Sequence, residues 1–405
     1  MHHQPPLSAT QRCLILVLVL FNPWLSAKTA QNANTPQVSG LPDVVLQRLR
    51  AAEIPISSLS VLVQEVPKER NAQGSWIQEP PRLTHMATQL RTPASLMKLV
   101  TTQAALDLLG PNHVWKTSIY TTAAIQPSGT LVGDVIVRGG LDPKLTVEGA
   151  THLLQKLKGM GLQKIQGDVI IDKSLLEPST RDPAQFDGEP LKAYNVVADA
   201  MLINFNALLM TITPDPLSGV AHVLVEPPLE GLSYTKQVPL SNSNCADYRR
   251  ELNADFSKPL SITFQGVFSK TCGPRVWPLA FGRPKEFTQR ALAGIWRSLG
   301  GEITGEFKLG QLPQHASLLW SENSLPLSDV IKDMNKYSNN VMAQHLFLSL
   351  SLDSPLGASE HASREIVQRW WRERVSTSPM LIEQGSGLSR EDRISAQGLA
   401  ELLSY

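Results

Sequence analysis

The pattern of apolar and polar positions changes twice along the chain. Residues 94–109 place apolar side chains on nearly every face of a helix, which predicts a central, buried helix. Residues 113–284 instead alternate short β-type runs with turns rich in Gly, Pro and Asp. Helical spacing returns after residue 285 and continues to Tyr405. The pattern therefore predicts a helical part of the protein that is interrupted by a β-rich segment.

The apolar helix also has predicted ends. Thr92 is a favourable N-cap and Pro93 suits the first helical position. Gly110-Pro111 provides the stop signal. Ser95 and Lys98 fall in the first turn, and residues three apart in a helix lie on the same face. The sequence thus brings an amine within reach of a hydroxyl at the start of a buried helix.

Shorter elements are predicted before and after this helix. The predicted strands are Ser58–Gln64, Thr117–Thr122, Val135–Val137, Val169–Ile171, Val223–Val225 and Ile262–Phe264. The predicted further helices are His152–Leu157, Glu286–Leu299, Ser328–Lys336, Val341–Ser351, Ser363–Arg374 and one capped by Ser395. Gly133–Val137 and Gly167–Ile171 share the pattern Gly-Asp-Val-Ile. We interpret them as similar turn-plus-strand units and not as a solenoid, because no fixed period recurs.

Composition allows two or three ordinary globular domains. Of the 405 residues, 42% are hydrophobic and 18% charged, and the formal net charge is +1. No run of Lys or Arg indicates a nucleic acid or a membrane surface as a partner.

Residues 1–27 have the pattern of a Sec-type signal peptide. Arg12 precedes the apolar run Cys13–Phe21, and Ala27 is a small residue suited to cleavage. The alternative, a buried N-terminal helix, lacks a cap and an amphipathic pattern. We therefore expect a periplasmic or otherwise secreted protein that has no stable transmembrane segment after cleavage of the signal peptide.

The number and positions of the cysteines are consistent with export to an oxidising compartment. Cys13 leaves with the signal peptide, so Cys245 and Cys272 remain as a candidate disulfide or as two buried free thiols. The chain contains no Cys-x-x-Cys and no His-Glu-x-x-His, and its histidines have no ligand spacing. We expect neither a metal nor a cofactor.

Ser95 and Lys98 are candidates for nucleophilic catalysis. A serine hydroxyl needs a base to take its proton, and a lysine is such a base when burial and nearby positive charge keep it neutral. The spacing alone has little specificity, because Ser233 and Lys236 share it in a stretch without a helical pattern. A second candidate motif, Ser338-Asn339-Asn340, lies between two predicted helices. Ser321-Glu322-Asn323 has the same Ser-x-Asn spacing, so the spacing alone does not identify the motif.

Longer stretches resemble one family, the D-alanyl-D-alanine carboxypeptidases/endopeptidases that include penicillin-binding protein 4. The resemblance covers about residues 45–405 in the family's order. The stretches that carry it are Arg91–Leu106, Gly139–Pro143, Tyr194-Asn195 with Asn204–Asn206, Met334–Asn340 and Gly385–Arg390. Gly139–Pro143 reads most simply as a turn, and a substrate-facing role for Asp142 is the minor alternative.

The resemblance implies an α+β fold. A serine transpeptidase/β-lactamase-like domain, with an antiparallel sheet flanked by helices, would be interrupted by one or two β-rich inserted domains. We expect the first part of this domain at 28–112, the insert at 113–284 and the second part at 285–405. The 243 residues from Ser95 to Ser338 are too many for a compact β-lactamase. The resemblance also implies that Cys245 pairs with Cys272.

The resemblance further implies roles for four residues. Ser95 would be the acylated nucleophile and Lys98 its base, Ser338 would relay a proton to the leaving amine, and Asn340 would bind the substrate amide. The substrates would be peptidoglycan peptides that end in or are cross-linked through D-Ala. β-Lactams would be covalent inhibitors that acylate Ser95.

The sequence departs from the family in two places. The third family motif, Lys-Thr-Gly, is expected after Gly385–Arg390, but no lysine follows Lys336. We therefore expect a chain that is C-terminally incomplete. The alternative is a truncated, non-catalytic product that binds wall peptide or a partner through its inserted domains. Gln384 stands where the family usually has Asp, and Gly385-Ser386-Gly387 is interpreted as a turn and not as a Gly-x-Ser-x-Gly nucleophile elbow.

Overall fold

The fold is known from a computed structural model that describes residues 40–69, 80–354 and 357–405. The predicted signal peptide and Cys13 lie outside these residues. The described chain is a mixture of helices and several sheets, so the predicted α+β class is confirmed. None of the helices in these ranges is both long and apolar enough to cross a membrane.

The regular elements are distributed along the whole described chain. Its α-helices are α1 (Asp43–Ala51), α2 (Met97–Leu109), α3 (Val147–Gly159), α4 (Tyr248–Leu252), α5 (Pro284–Ser298), α6 (Leu327–Tyr337), α7 (Asn340–Ser349), α8 (Glu360–Trp370) and α9 (Ala396–Ser404). Its strands are β1 (Val61–Val63), β2 (Leu83–His85), β3 (Lys116–Thr121), β4 (Thr130–Val132), β5 (Val135–Arg138), β6 (Lys164–Gln166), β7 (Val169–Asp172), β8 (Ala207–Asp215), β9 (Val220–Glu226), β10 (Ser233–Tyr234), β11 (Gln237–Ser241), β12 (Ala254–Lys258), β13 (Ser261–Phe264), β14 (Phe268–Ser269), β15 (Arg275–Ala280), β16 (Glu302–Ile303), β17 (Phe307–Gly310) and β18 (Ser317–Asn323).

The chain divides into two compact units. The first unit holds the described residues up to Ala104 together with Arg364–Tyr405. In it, β1 pairs antiparallel with β2, and α9 packs against β1. An isolated bridge from Arg91 to Ile394 joins its two chain segments, and a second bridge, from Leu381 to Arg393, lies within the C-terminal segment. The second unit is Ala105–Ser363 and contains the remaining sheets, including β16, β17 and β18.

Three turn-plus-strand units stack on one another in the second unit. β5, β7 and β17 are parallel neighbours, and so are β4, β6 and β16 in a separate sheet. Val135 pairs with Val169 and Val169 with Phe307, so the two repeated stretches lie in register with a third, Gly305–Phe307. The interpretation as similar units is confirmed. The stacking of these units was not expected from the sequence, because helices and other sheets separate them along the chain.

Backbone contacts between the turns explain the Gly-Asp pattern. Asp134 Oδ1 accepts from Asp168 N at 2.8 Å, and Asp168 Oδ1 accepts from Glu306 N at 2.9 Å. A Cβ on Gly167 would lie 2.2 Å from Gly133 O. Glycine therefore permits the close stacking of the turns, while each aspartate links its turn to the next.

The other large sheet of this unit has the order β14-β11-β9-β8-β15. β8 and β9 alternate buried and more exposed side chains, as expected for a sheet with one face on a core. A small sheet of β10, β13 and β12 lies in the same part of the chain. A disulfide joins Cys245 to Cys272, closing a loop across 27 residues. The predicted strands from Thr117 to Phe264 are confirmed to within one or a few residues.

Candidate active site

The candidate nucleophile lies in a tight turn that leads into α2. Ala94–Leu96 form one turn of 3₁₀-helix, and the α-helix begins at Met97. Ala94 has φ +49°, a left-handed conformation that costs a non-glycine residue about 1–3 kcal/mol. Ser95 follows it and is exposed. The predicted cap is wrong, because Pro93 precedes the turn as its cap residue and no side chain caps it.

Lys98 is the buried partner of this serine. Its side chain is almost inaccessible, with 2% exposure, and its Nζ donates to Ser95 Oγ at 3.2 Å. Nζ also donates to the main-chain oxygen of Ser386 at 2.6 Å. Burial lowers the pKa of Lys98 to about 8, against the opposing effect of the negative charge of Asp392. A larger fraction of this lysine is therefore neutral near pH 7 than for an exposed lysine.

The segment Gln384–Leu388 lies along the face of α2 that carries Ser95 and Lys98. Thr101 is fully buried one turn after Lys98, and its Oγ1 donates to Gly385 O at 2.7 Å. Gly387 has φ +81°, and a Cβ there would lie 1.8 Å from Ala94 O. Two consecutive carbonyls thus accept from Thr101 and Lys98, and a glycine packs against the turn that holds Ser95. The sequence contained no signal for these contacts beyond the Gly-Ser-Gly turn.

Ser338 and Asn340 occupy the turn between α6 and α7 in the second unit. Ser338 ends α6 in a left-handed conformation with φ +52°. Asn339 is the N-cap of α7, and its side chain accepts from Met342 N at 3.0 Å. Asn340 Nδ2 donates to Tyr194 O at 3.2 Å. The predicted position of this motif between two helices is confirmed, whereas the predicted start at Ser328 is wrong because α6 begins at Leu327 after Pro326.

Two charged residues near this turn, Lys144 and Asp333, had no recognisable signal in the sequence. Lys144 Nζ forms an ion pair with Asp333 Oδ2 at 2.5 Å, and Asp333 lies on α6 little more than one turn before Ser338. The ion pair joins α6 to the residue that directly follows the Gly139–Pro143 stretch. Asp142 Oδ1 accepts from Lys144 N at 2.8 Å, and burial raises the pKa of Asp142 to about 6.

The serines of the two other stretches with these spacings lie in strands. Ser233 belongs to β10, and its Oγ donates to Leu260 O at 3.2 Å. Ser321 belongs to β18, where its Oγ lies 2.8 Å from Ser118 Oγ. Residues 40–69, 80–354 and 357–405 contain no group of three or more His, Cys, Asp or Glu suited to a metal ion.

The nucleophile turn, a serine with a buried lysine one helical turn away, belongs to the class of serine sites with the Ser-x-x-Lys motif. Comparison with known proteins makes the assignment specific. The chain belongs to the D-Ala-D-Ala carboxypeptidase 3 (S13) family, whose profile matches residues 58–405. This membership confirms the resemblance that the sequence motifs indicated.

Individual relatives agree with the family. The D-alanyl-D-alanine carboxypeptidase DacB of Haemophilus influenzae is 26% identical over 317 residues, which are 77% of this chain and 65% of that protein. The chain thus spans just under two thirds of the length of this curated relative.

Solved structures show the same fold. The crystal structure of penicillin binding protein 4 (dacB) from Haemophilus influenzae matches with a TM-score of 0.64 at 24% identity, over 80% of this chain and 72% of that one. Its complex with a novel beta-lactam matches with a TM-score of 0.57 at 24% identity, over 80% and 70%.

Proposed function

We propose that this protein is a serine D-alanyl-D-alanine carboxypeptidase and DD-endopeptidase that acts on peptidoglycan peptides through an acyl-enzyme on Ser95. The observation that carries this proposal is the 3.2 Å contact between Lys98 Nζ and Ser95 Oγ, with the amine buried and the hydroxyl exposed. A nucleophile needs access to substrate, and its base needs a low pKa, which burial supplies.

The reaction is acyl transfer in two steps. Ser95 Oγ attacks the carbonyl carbon of the penultimate D-Ala while Lys98 Nζ takes the hydroxyl proton. The C–N bond then breaks, the leaving amine of the terminal D-Ala receives a proton, and an ester to Ser95 remains. Water attacks the ester carbon while Lys98 takes one of its protons, the C–O bond to Ser95 breaks, Ser95 Oγ receives that proton from Lys98, and the shortened peptide leaves as a carboxylic acid. In a cross-linked substrate, the leaving amine belongs to the neighbouring wall peptide.

The second motif has supporting roles in this proposal. Ser338 relays the proton to the leaving amine, and Asn340 hydrogen-bonds the substrate amide. The turn between α6 and α7 supports these roles, because a left-handed Ser338 and a capping Asn339 fix its backbone. The substrate is a wall polymer, so the proposal includes a periplasmic or otherwise secreted location.

β-Lactams would acylate the same serine. The Haemophilus influenzae protein of the same fold has been crystallised with a beta-lactam. The amide carbon of a β-lactam ring is open to the same attack by Ser95 Oγ, and the amine stays tethered to the acyl group after the ring opens. The ester should therefore persist long enough to be detected by intact-mass spectrometry.

D-Alanine release from an acetylated L-Lys-D-Ala-D-Ala tripeptide tests the proposal directly. We expect the full chain to release D-alanine, the Ser95→Ala variant to release none, and the Ser233→Ala variant to match the unchanged chain. Dimeric wall peptides should in parallel be cleaved to monomers. Release that persists in Ser95→Ala would contradict the proposal.

A chain that neither releases D-alanine nor takes up penicillin would also contradict the proposal. If such a chain bound wall peptide tightly, the non-catalytic binding protein considered from the sequence would be the better description. Equilibrium binding of a labelled, uncrosslinked wall peptide separates these outcomes.

A further inference from the structure

The side chain of Gln384 closes the segment that contacts Lys98. It is buried, with 3% exposure. Its Oε1 accepts from Ser386 Oγ at 3.1 Å, and its Nε2 donates to Leu388 O at 2.5 Å. Leu388 N in turn donates to Ser386 Oγ at 3.1 Å. One amide therefore connects both ends of a five-residue turn.

The chemistry of these contacts requires an amide. Leu388 O is a main-chain oxygen and only accepts, so the group facing it must donate. The Ser386 hydroxyl donates a hydrogen bond to the amide oxygen of Gln384. A carboxylate has no donor and would place an oxygen against the Leu388 carbonyl. Glutamine satisfies both ends of the turn without a charge.

The turn that Gln384 closes presents its main-chain oxygens to α2. Ser386 O accepts from Lys98 Nζ at 2.6 Å, and Gly385 O accepts from Thr101 Oγ1 at 2.7 Å. The position of Ser386 O therefore depends on the shape of the turn. A carbonyl oxygen at this distance also stabilises the protonated amine, so its placement and the surrounding charge set the balance between ammonium and amine.

The segment from Glu383 to Arg393 carries charged side chains in the same unit as Lys98. Asp392 acts on it from the segment before α9, and its Oδ1 accepts from Glu383 N at 2.8 Å. The Glu383 carboxylate accepts from Ser389 Oγ, and Arg393 Nη1 donates to Thr92 Oγ1 at 3.2 Å. Burial prevails over the attraction of Asp392 and keeps the pKa of Lys98 low. A further buried negative charge would oppose that effect.

We propose that Gln384 is a positioning residue for the Ser95–Lys98 pair, which fixes the Ser386 carbonyl on the lysine amine while adding no negative charge beside it. This inference rests on the proposed function only for its kinetic readout. The geometry behind it lies wholly within the first unit, from Ala94 to Thr101 and from Glu383 to Asp392.

The test compares Gln384→Glu and Gln384→Met with the unchanged full chain. Penicillin acylation is followed by intact mass against pH, and the titration of Lys98 is followed through its ¹³Cε resonance, assigned with Lys98→Met. For Gln384→Glu we expect both midpoints to rise by about one pH unit and the rate at pH 7 to fall about tenfold. Gln89→Glu is the matched control, because Gln89 is exposed in the same unit.

For Gln384→Met we expect a lower maximal rate, because the turn is no longer held, with no rise in the midpoint. A purely structural role would lower the rate in both variants at an unchanged midpoint, and that result would overturn the proposal. If Gln384→Glu does not fold, an acylation rate in Gln384→Met equal to that of the unchanged chain would overturn it. If the unchanged chain takes up no penicillin, the proposed function fails, but the ¹³C titration still decides this inference.

Discussion

The spacing Ser-x-x-Lys occurs twice in this chain, and the two copies lie in different local structures. Ser95 and Lys98 stand at the start of α2, where the lysine is buried and its amine contacts the serine hydroxyl. Ser233 lies in β10 and Lys236 in the link between β10 and β11, where both are exposed and the serine hydroxyl donates to the main-chain oxygen of Leu260. Residues 233–236 contain no helical turn, so the local structure does not place the two side chains one above the other.

The difference shows which structural conditions the motif requires beyond its residue types and spacing. A helical turn places the amine close to the hydroxyl, and burial lowers the pKa of the amine. A main-chain oxygen of a second segment also accepts a hydrogen bond from the amine. The helix at Ser95 supplies the first condition and its apolar surroundings the second. The Gln384–Leu388 turn supplies the third. At Ser233 the absence of a helical turn already excludes the first condition.

The largest expected effect comes from removing the nucleophile. Ser95→Ala should abolish the penicillin adduct, because no other atom occupies the position of Ser95 Oγ. Intact-mass spectrometry before and after penicillin measures this. Ser233→Ala is the paired variant and should gain one penicillin as the unchanged chain does. An adduct in Ser95→Ala would make the two copies of the motif equivalent and the comparison wrong.

Removing the base should have the next largest effect. Lys98→Met keeps roughly the length of the side chain but removes the amine that accepts the Ser95 proton in the proposed mechanism. We expect the acylation rate constant to fall about 10²- to 10⁴-fold, as for the loss of a general base. Intact-mass spectrometry of samples quenched at successive times gives the rate constant. Lys236→Met should leave it within twofold, and an equal loss in both variants would contradict the assignment of the base.

A methyl group at Gly387 tests the contact with the nucleophile turn. Gly387→Ala meets both an unfavourable φ of +81° and a Cβ 1.8 Å from Ala94 O. We expect the free energy of unfolding to fall by about 2 to 5 kcal/mol and acylation to slow. Gly188→Ala is the control, with φ +77° and open space around it, and should cost about 1 to 2 kcal/mol. Equal losses in chemical denaturation would show that the contact with Ala94 is unimportant.

The pH dependence of acylation should show the smallest effect. In the proposed mechanism Lys98 accepts a proton only when it is neutral, so acylation should speed up as the pH rises through its lowered pKa of about 8. Between pH 7 and pH 9 we expect the rate constant to rise about tenfold and then level off. A midpoint near the ordinary lysine value of 10.5 would show that burial does not prepare this amine.

Much of the fold was predictable from short-range patterns. The helix that carries Lys98 was recognised from its apolar faces and from Gly110, which indeed has φ +82° just after Leu109. The cap of α9 by Ser395 was likewise found, and its side chain accepts from Gly398 N. Such signals depend on residues within one or two turns, so a single sequence contains them.

Long-range features were not predictable in the same way. Gly305–Phe307 joins the stacked units although Glu306 and Phe307 replace the repeated Asp and Val, and its partners lie far away in the chain. The left-handed Ala94 was missed because its backbone conformation accompanies contact with Gly387, not a preference of alanine. The partners of Lys98 and Thr101 at Ser386 and Gly385 come from the same tertiary arrangement.

The central claim is that Ser95 is the acylated residue, and mapping a penicillin adduct by tryptic digestion tests it most directly. Cleavage after Arg91 and Lys98 releases a short peptide, Thr92–Lys98, whose only serine is Ser95. We predict that this peptide alone gains the mass of one penicillin. An adduct on the peptide that ends at Lys236, or no adduct on any peptide, would contradict it.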